Sequence, residues 1–242
     1  MARRDYTRTM RITMIPLVAA CVASIVLANS PRLVGQSSAE ADRVVEAARV
    51  LDEIMGAPDK AIPTKVIDKA EGIAVFPSTI KGGLGVGAHR GKGVFSVRNR
   101  KTNTWSAPAF LTLTGGSVGA QIGAQAVDLV LIVMNTRGAE KLSNNTMKFG
   151  GDASVAAGPV GRDVEASTDA TFRAEILSYS RTRGLFAGVT LKGSAIRVDR
   201  DAHERVYGTA FSTRQIVTEG KGGAPSLVAP WSAALARHFV AP

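Results

Sequence analysis

The stretch beginning KGGLGVGAHRGKGVFSVRN at Lys81 and running through WSAPAFLTLTGGSVGAQIG to AVDLVLIVMN constrains the fold most. Ten glycines fall between residues 82 and 123, in a background of Val, Phe, Leu, Ile and Thr. That is strand composition, interrupted where a Cβ is not tolerated. It predicts antiparallel strands with tight turns and close backbone contacts. A nucleotide-binding glycine loop is disfavoured by spacing. Gly85-Val86-Gly87 is followed by Gly91, and the chain contains no Gly-Lys-Ser or Gly-Lys-Thr.

The composition around this stretch is that of a globular chain: 242 residues, 45% hydrophobic and 21% charged. One domain of about 200 residues is the natural expectation. A net charge of +10 points to acidic partners, whether anionic lipid, nucleic acid or acidic polymer. Cys21 is the single cysteine, which excludes an intrachain disulfide framework and a cysteine-based zinc site. His89, His203 and His238 are too dispersed for a metal motif, and no cofactor is expected.

Arg3, Arg4, Arg8 and Arg11 precede an apolar run from Ile12 to Ala28. Val26-Leu27-Ala28 suits a signal peptidase, so residues 1–28 read as a secretory signal peptide. Val18-Ala19-Ala20-Cys21 also resembles a lipoprotein box, against which the chain stays apolar beyond Cys21. Cleavage after Ala28 removes four arginines and Asp5, leaving 214 residues at +7. The expected destination is the periplasm or cell envelope.

Residues 29–36 read as a linker, with Ser37 and Glu40 spaced as a capping box. Val44, Ala47, Ala48, Leu51, Ile54 and Met55 recur at helical spacing and predict an amphipathic helix ended by Gly56 and Pro58. A short helix through Lys69 follows, then a strand over Ile73–Phe76 bounded by Pro77. Further strands are predicted over Val94–Val97, Trp105–Thr114, Ala126–Met134, Ser154–Ala166 and Ala174–Ser180. Leu185, Ala187, Val189 and Leu191 alternate as one core face. Short helices are expected at Gly138–Asn144 and Asp199–Tyr207. Residues 220–242 give a flexible connection and a last helix whose stripe is Leu227, Trp231, Leu235 and Phe239.

Gly115-Gly116-Ser117-Val118-Gly119 spells the nucleophile elbow of a serine esterase, but the strand-then-helix context fails, and a glycine-rich strand turn is the better reading. Asp128 reads as a strand hydrogen-bonding group. Lys81, Arg90, Lys92, Arg98, Arg100 and Lys101 place six positive charges within 21 residues, on expected turns. Such a patch suits anionic headgroups. Nucleic acid is disfavoured because no aromatics interleave the charges.

AIPTKVIDKAEGIAVFP at 61–77, the glycine-rich blocks at 81–94 and 105–135, GGDASVAAGPVGRD at 150–163 and YSRTRGLFAGVTLKGSAI at 179–196 together resemble the SYLF family. This is a lipid-binding domain also known as an actin-binding domain of yeast proteins. The likeness runs from about Ala47 to Thr218. It implies a binding role without a catalytic motif. Phosphoinositides and actin filaments are the ligands of eukaryotic members, and phospholipid is the expected ligand of exported bacterial ones.

The sequence thus predicts a single α+β domain, predominantly antiparallel β with flanking amphipathic helices, its SYLF-like part spanning 37–219. Its expected activity is non-catalytic binding of anionic phospholipid through Lys81, Arg90, Lys92, Arg98 and Lys101. The alternative is a structural or protein-interaction module of the envelope, including actin binding.

Overall fold

A computed structural model describes residues 34–56, 62–160, 173–182 and 185–239, without the side chains of 34–38, 83–87, 117–124 and 186. The signal-peptide reading, Cys21, residues 29–33 and the 161–166 part of the Ser154–Ala166 strand lie outside these residues; of the rest, only Val155–Ala157 is strand. Residues 39–242 form one compact unit. Of residues 1–38, only 34–38 are described, as the opening turns of the first helix.

Two long strands carry the architecture. β1 (Gly72–Asn99) and β3 (Ala109–Val133) pair antiparallel from Gly72↔Val133 to Phe95↔Ala109, joined through the turn that holds β2 (Thr104–Trp105). The short strands expected around the glycines are therefore segments of one ribbon. Pro77 does not end the strand. It falls at a register shift between Phe76 and Thr79, a place where a missing N–H costs no ladder bond. A second shift lies between Leu84 and Val86.

The ribbon folds back on itself about that second shift. The Arg98 amide donates to the Glu71 carbonyl at 2.8 Å, joining the two ends of β1. Along the inner face an ideal Cβ on Gly93 would stand 2.3 Å from the Val75 carbonyl oxygen, and one on Gly91 would stand 2.2 Å from Thr79 Oγ1. The glycines in the second half of β1 are thus the places where its first half crosses over.

The rest of the sheet grows from β3. β6 (Ile176–Thr182) and β8 (Ser194–Val198) pair with it antiparallel. β4 (Thr146–Lys148) extends β8, and β7 (Leu185–Gly188) extends β6. β5 (Val155–Ala157) lies parallel to β6, so the sheet is mixed but mostly antiparallel. The α+β expectation holds.

Strand alternation sorts the core into two layers. The inner face of the folded ribbon carries Phe76, Phe95, Leu111, Leu113, Leu129 and Leu131, closed by α3 (Thr136–Leu142) and α5 (Thr213–Val217). The outer face carries Ile73, Val75, Val94, Phe110, Val130 and Ile132. Over it pack α1 (Val34–Met55), α4 (Arg200–Tyr207) and α6 (Ala229–His238), with α2 (Thr64–Lys69) beside them. The terminal stripe docks on its own domain: Trp231 and Leu235 are fully buried, and Trp231 Nε1 donates to Ser96 Oγ at 2.8 Å.

Three local expectations are corrected. α1 starts at Val34, so Ser37 lies inside it and is no N-cap; the capping box present is Ser212 with Gln215, opening α5. Leu185 is 65% exposed and Ala187 is exposed as well, because β7 is a four-residue strand paired only to β6 and leaves that alternating face to solvent. Gly115–Gly119 belongs to the uninterrupted strand β3, not to a turn.

Candidate functional site

From Gly72 to Val127 the chain has no carboxylate and six Lys or Arg. The fold decides which of these cations are available. Alternation from the buried Thr79 sets Lys81 on the inner face, where burial lowers its pKa. Its neighbour there is His89, whose pKa is also lowered, first by burial and then by the Lys81 charge. His89 Nε2 lies 2.9 Å from Ser194 Oγ, and Gly115 leaves room for the ring, since a Cβ would come within 2.5 Å of it. A serine beside a neutral histidine has the look of a nucleophile and its base. Ser194 is only 1% exposed, which closes it to substrate.

Arg90 and Lys92 point to the opposite, outer face, and both are exposed. Arg90 makes no ion pair among the described residues, whereas Lys92 Nζ stands 3.9 Å from Asp199 at the start of α4. Arg98 is not on display. It is 5% exposed, and its guanidinium donates twice to Asn103 Oδ1, at 3.0 and 2.5 Å, bracing the β1–β2 turn. Arg100 is likewise engaged, by Glu71 and by the carbonyls of Asp68 and Ala70. Lys101 is exposed at the turn, without an acidic partner among the described residues. Lys81 and Arg90 therefore gather near the ribbon bend on opposite faces, Lys92 sits farther down the outer face, and Lys101 lies at the other end.

Ser117 pairs with Gly87 within the ribbon, so the strand-to-helix turn of an elbow is missing around it. Asp128 does serve as a strand hydrogen-bonding group. Its Oδ1 accepts from the Ser78 amide at 2.9 Å, at the bulge where Ser78 has φ 49°, and its Oδ2 accepts from Arg181 at 2.7 and 3.0 Å. Arg181 also pairs with Glu53 of α1. Among the described residues no three His, Cys, Asp or Glu converge as metal ligands.

One cluster had no sequence signal. Glu40 reads as the capping-box partner of Ser37 and Arg43 as one of the charges between the apolar positions of α1, yet they are 1% and 8% exposed. Arg43 reaches Asp199 at 3.0 Å and lies over the Phe110 ring at 5.3 Å, while Glu40 accepts from Arg205 at 2.9 Å. Burial raises the pKa of Asp199, but Arg43, the Ala202 amide and Lys92 outweigh it and hold the carboxyl below its ordinary range. His203, fully buried, accepts from the Phe110 amide at Nε2, which leaves Nδ1 to donate to the Phe211 carbonyl. These contacts clamp α1 and α4 onto β3.

Residues 114–238 match the family described as Ysc84, Las17-binding protein actin regulator. Among relatives, "LAS seventeen-binding protein 3" of Saccharomyces cerevisiae is 34% identical over 204 residues, 83% of this chain and 43% of its own length. "Protein YSC84" of the same yeast is 32% identical over 191 residues, 78% of this chain and 40% of its own. "SH3 domain-containing YSC84-like protein 1" of Homo sapiens is 36% identical over 171 residues, 69% and 49%. The chain spans half or less of the length of these relatives, so the likeness concerns one part of each. The family match covers more than half of the chain and takes in β3, β6, β8 and every helix from α3 to α6, and on it this chain belongs to the Ysc84 family.

Proposed function

We propose that this domain is a non-catalytic binding module for anionic phospholipid at the cell envelope. The observation that carries this reading is the carboxylate-free span from Gly72 to Val127, in which Lys81, Arg90 and Lys101 have no acidic partner among the described residues. Lys92 Nζ stands 3.9 Å from Asp199, which partly offsets its charge. Arg98 serves to hold the turn. Near an anionic surface a basic residue is worth about 1 kcal/mol, so Lys81 and Arg90, which lie together near the bend, supply about 2 kcal/mol, roughly thirtyfold in partitioning.

The experiment is co-sedimentation of the chain starting at Asn29, which retains the compact unit 39–242, with phosphatidylserine–phosphatidylcholine vesicles. Binding is expected to require the anionic lipid. It is also expected to collapse between about 0.1 M and about 1 M salt, as the screening length shrinks from about 10 Å to about 3 Å. Arg90→Glu with Lys81→Gln is expected to abolish most of it. Absence of binding in dilute buffer overturns the reading.

A second reading is favoured by the names of the relatives: a protein-interaction module that binds actin or an envelope protein. Co-sedimentation with actin filaments, indifferent to added lipid, would establish it instead.

A further inference from the structure

We infer that the bend of the β1–β3 ribbon is the part of the domain that enters the interfacial layer of an anionic bilayer. The inference rests on the phospholipid reading and names the element that makes the contact. The second half of β1 crosses its own first half where Gly91 meets Thr79. Between those two residues the ribbon runs out and back. Six residues out at about 3.3 Å each allow a reach of up to roughly 20 Å, more than the roughly 5–8 Å that the headgroup region adds to each side of the hydrocarbon core.

The chemistry of this segment matches such a surface. No charged residue occurs in the seven positions between Lys81 and His89, or in the thirteen between Thr114 and Asp128. At the base of the segment the cross-strand pair Ile80↔Ala126 is exposed, Ile80 at 62%. Ala88 is exposed as well. Lys81 and Arg90 flank this apolar zone with no acid among the described residues to neutralise them, one on each face of the ribbon. An uncharged tip with a collar of unpaired cations suits an interface in which phosphates lie above acyl chains. The cross-strand ladder continues through the segment, from Ile80↔Ala126 to Arg90↔Thr114, apart from the shift at Leu84 and Val86, so much of the backbone is already hydrogen-bonded before it leaves bulk water.

The test uses the chain starting at Asn29, which contains no cysteine. Ile80→Cys and, at the far turn beside Lys101, Thr102→Cys are each labelled with an environment-sensitive nitrobenzoxadiazole dye. On mixing with phosphatidylserine–phosphatidylcholine vesicles, the dye at position 80 is expected to brighten, shift to the blue and be quenched by nitroxide-bearing lipid, while the dye at 102 stays water-exposed. Ile80→Asp, at a site already open to solvent, is expected to keep the thermal midpoint and lower vesicle partitioning about tenfold. Sedimentation with vesicles while the dye at 80 remains solvent-like, or a response at 102 instead, overturns this inference and leaves the phospholipid reading intact. A chain that fails to sediment at all removes both.

Discussion

Gly93→Ala tests the folded ribbon through the sign of a stability change. A glycine inside a strand is ordinarily a weak point, and replacing it with alanine stabilises a protein by about 0.4–1 kcal/mol through the unfolded chain. At Gly93 the added methyl would sit 2.3 Å from the Val75 carbonyl oxygen and 2.6 Å from the Phe76 ring. Ordinary contact begins near 3.4 Å, so the two halves of β1 would have to part by about 1 Å. Phe76 is fully buried, in an interior whose close packing resists displacement of a ring. Overpacking of this kind costs about 1–3 kcal/mol, which exceeds the entropic gain and leaves a net loss of about 1–2 kcal/mol. For a unit of this size that lowers the thermal midpoint by about 2–8 °C. Urea and thermal unfolding of Gly93→Ala against wild type measure it directly. Gly151→Ala is the control, since its Cβ would meet nothing nearer than Lys148 Cβ at 3.9 Å, and a change within about 0.5 kcal/mol is expected. A Gly93→Ala protein as stable as wild type, or more so, would refute the account of why glycine occupies the crossing.

Two further outcomes follow from the buried groups. His203 and His89 are both held below the ordinary histidine value of 6.5, so each binds fewer protons folded than unfolded. Their contribution is complete above about pH 6.5 and is lost as pH falls from there towards the folded values, by at most about 1.4 kcal/mol per pH unit for each. Unfolding midpoints measured from pH 7.5 down to 5 should fall, and His203→Gln, which can still accept from Phe110 and donate to Phe211, should flatten the slope; a wild-type profile that is already flat would contradict the assignment. Trp231→Ala, at a fully buried anchor of α6, should cost about 3–5 kcal/mol in urea unfolding, while Trp231→Phe isolates the hydrogen bond to Ser96 at about 1 kcal/mol. A small loss for the alanine variant would mean that α6 does not close the outer face.

Apart from α5, whose five residues are too few to show a stripe, the helices were legible because their signals are local. Val44 to Met55 gave a stripe, Gly208 ended α4 in the left-handed conformation at φ 71°, and the Trp231 stripe identified α6. The antiparallel character was legible in the glycine-rich apolar runs. Their unity was not, because strand composition does not say whether Ile73–Phe76 and Val94–Val97 are two strands or the two halves of one. That depends on contacts such as Arg98 with Glu71, which bring together residues far apart in the chain. The cationic span was visible in the sequence, but its division was not. Arg98 and Arg90 are alike as residue types, and only tertiary structure turns one to Asn103 and leaves the other exposed. Buried Glu40 and Arg43 were hidden for a related reason: an ion-paired charge beneath a helix has the same spacing as a solvated one.

The ribbon also implies an order of assembly. Phe95 and Ala109 are fourteen positions apart along the chain, and Gly72 and Val133 sixty-one. Closing the longer loop directly costs about 1.3 kcal/mol more in chain entropy than closing the shorter one. Pairing should therefore begin beside the Asn99–Thr104 turn and zip outward through the glycines, so that the Glu71–Arg98 junction forms late. Until it does, the large residues of the inner face have no opposing wall. A nascent chain stalled at that stage would be a hairpin with one sticky side, and the speed with which the glycines let it double over sets how long that side stays uncovered.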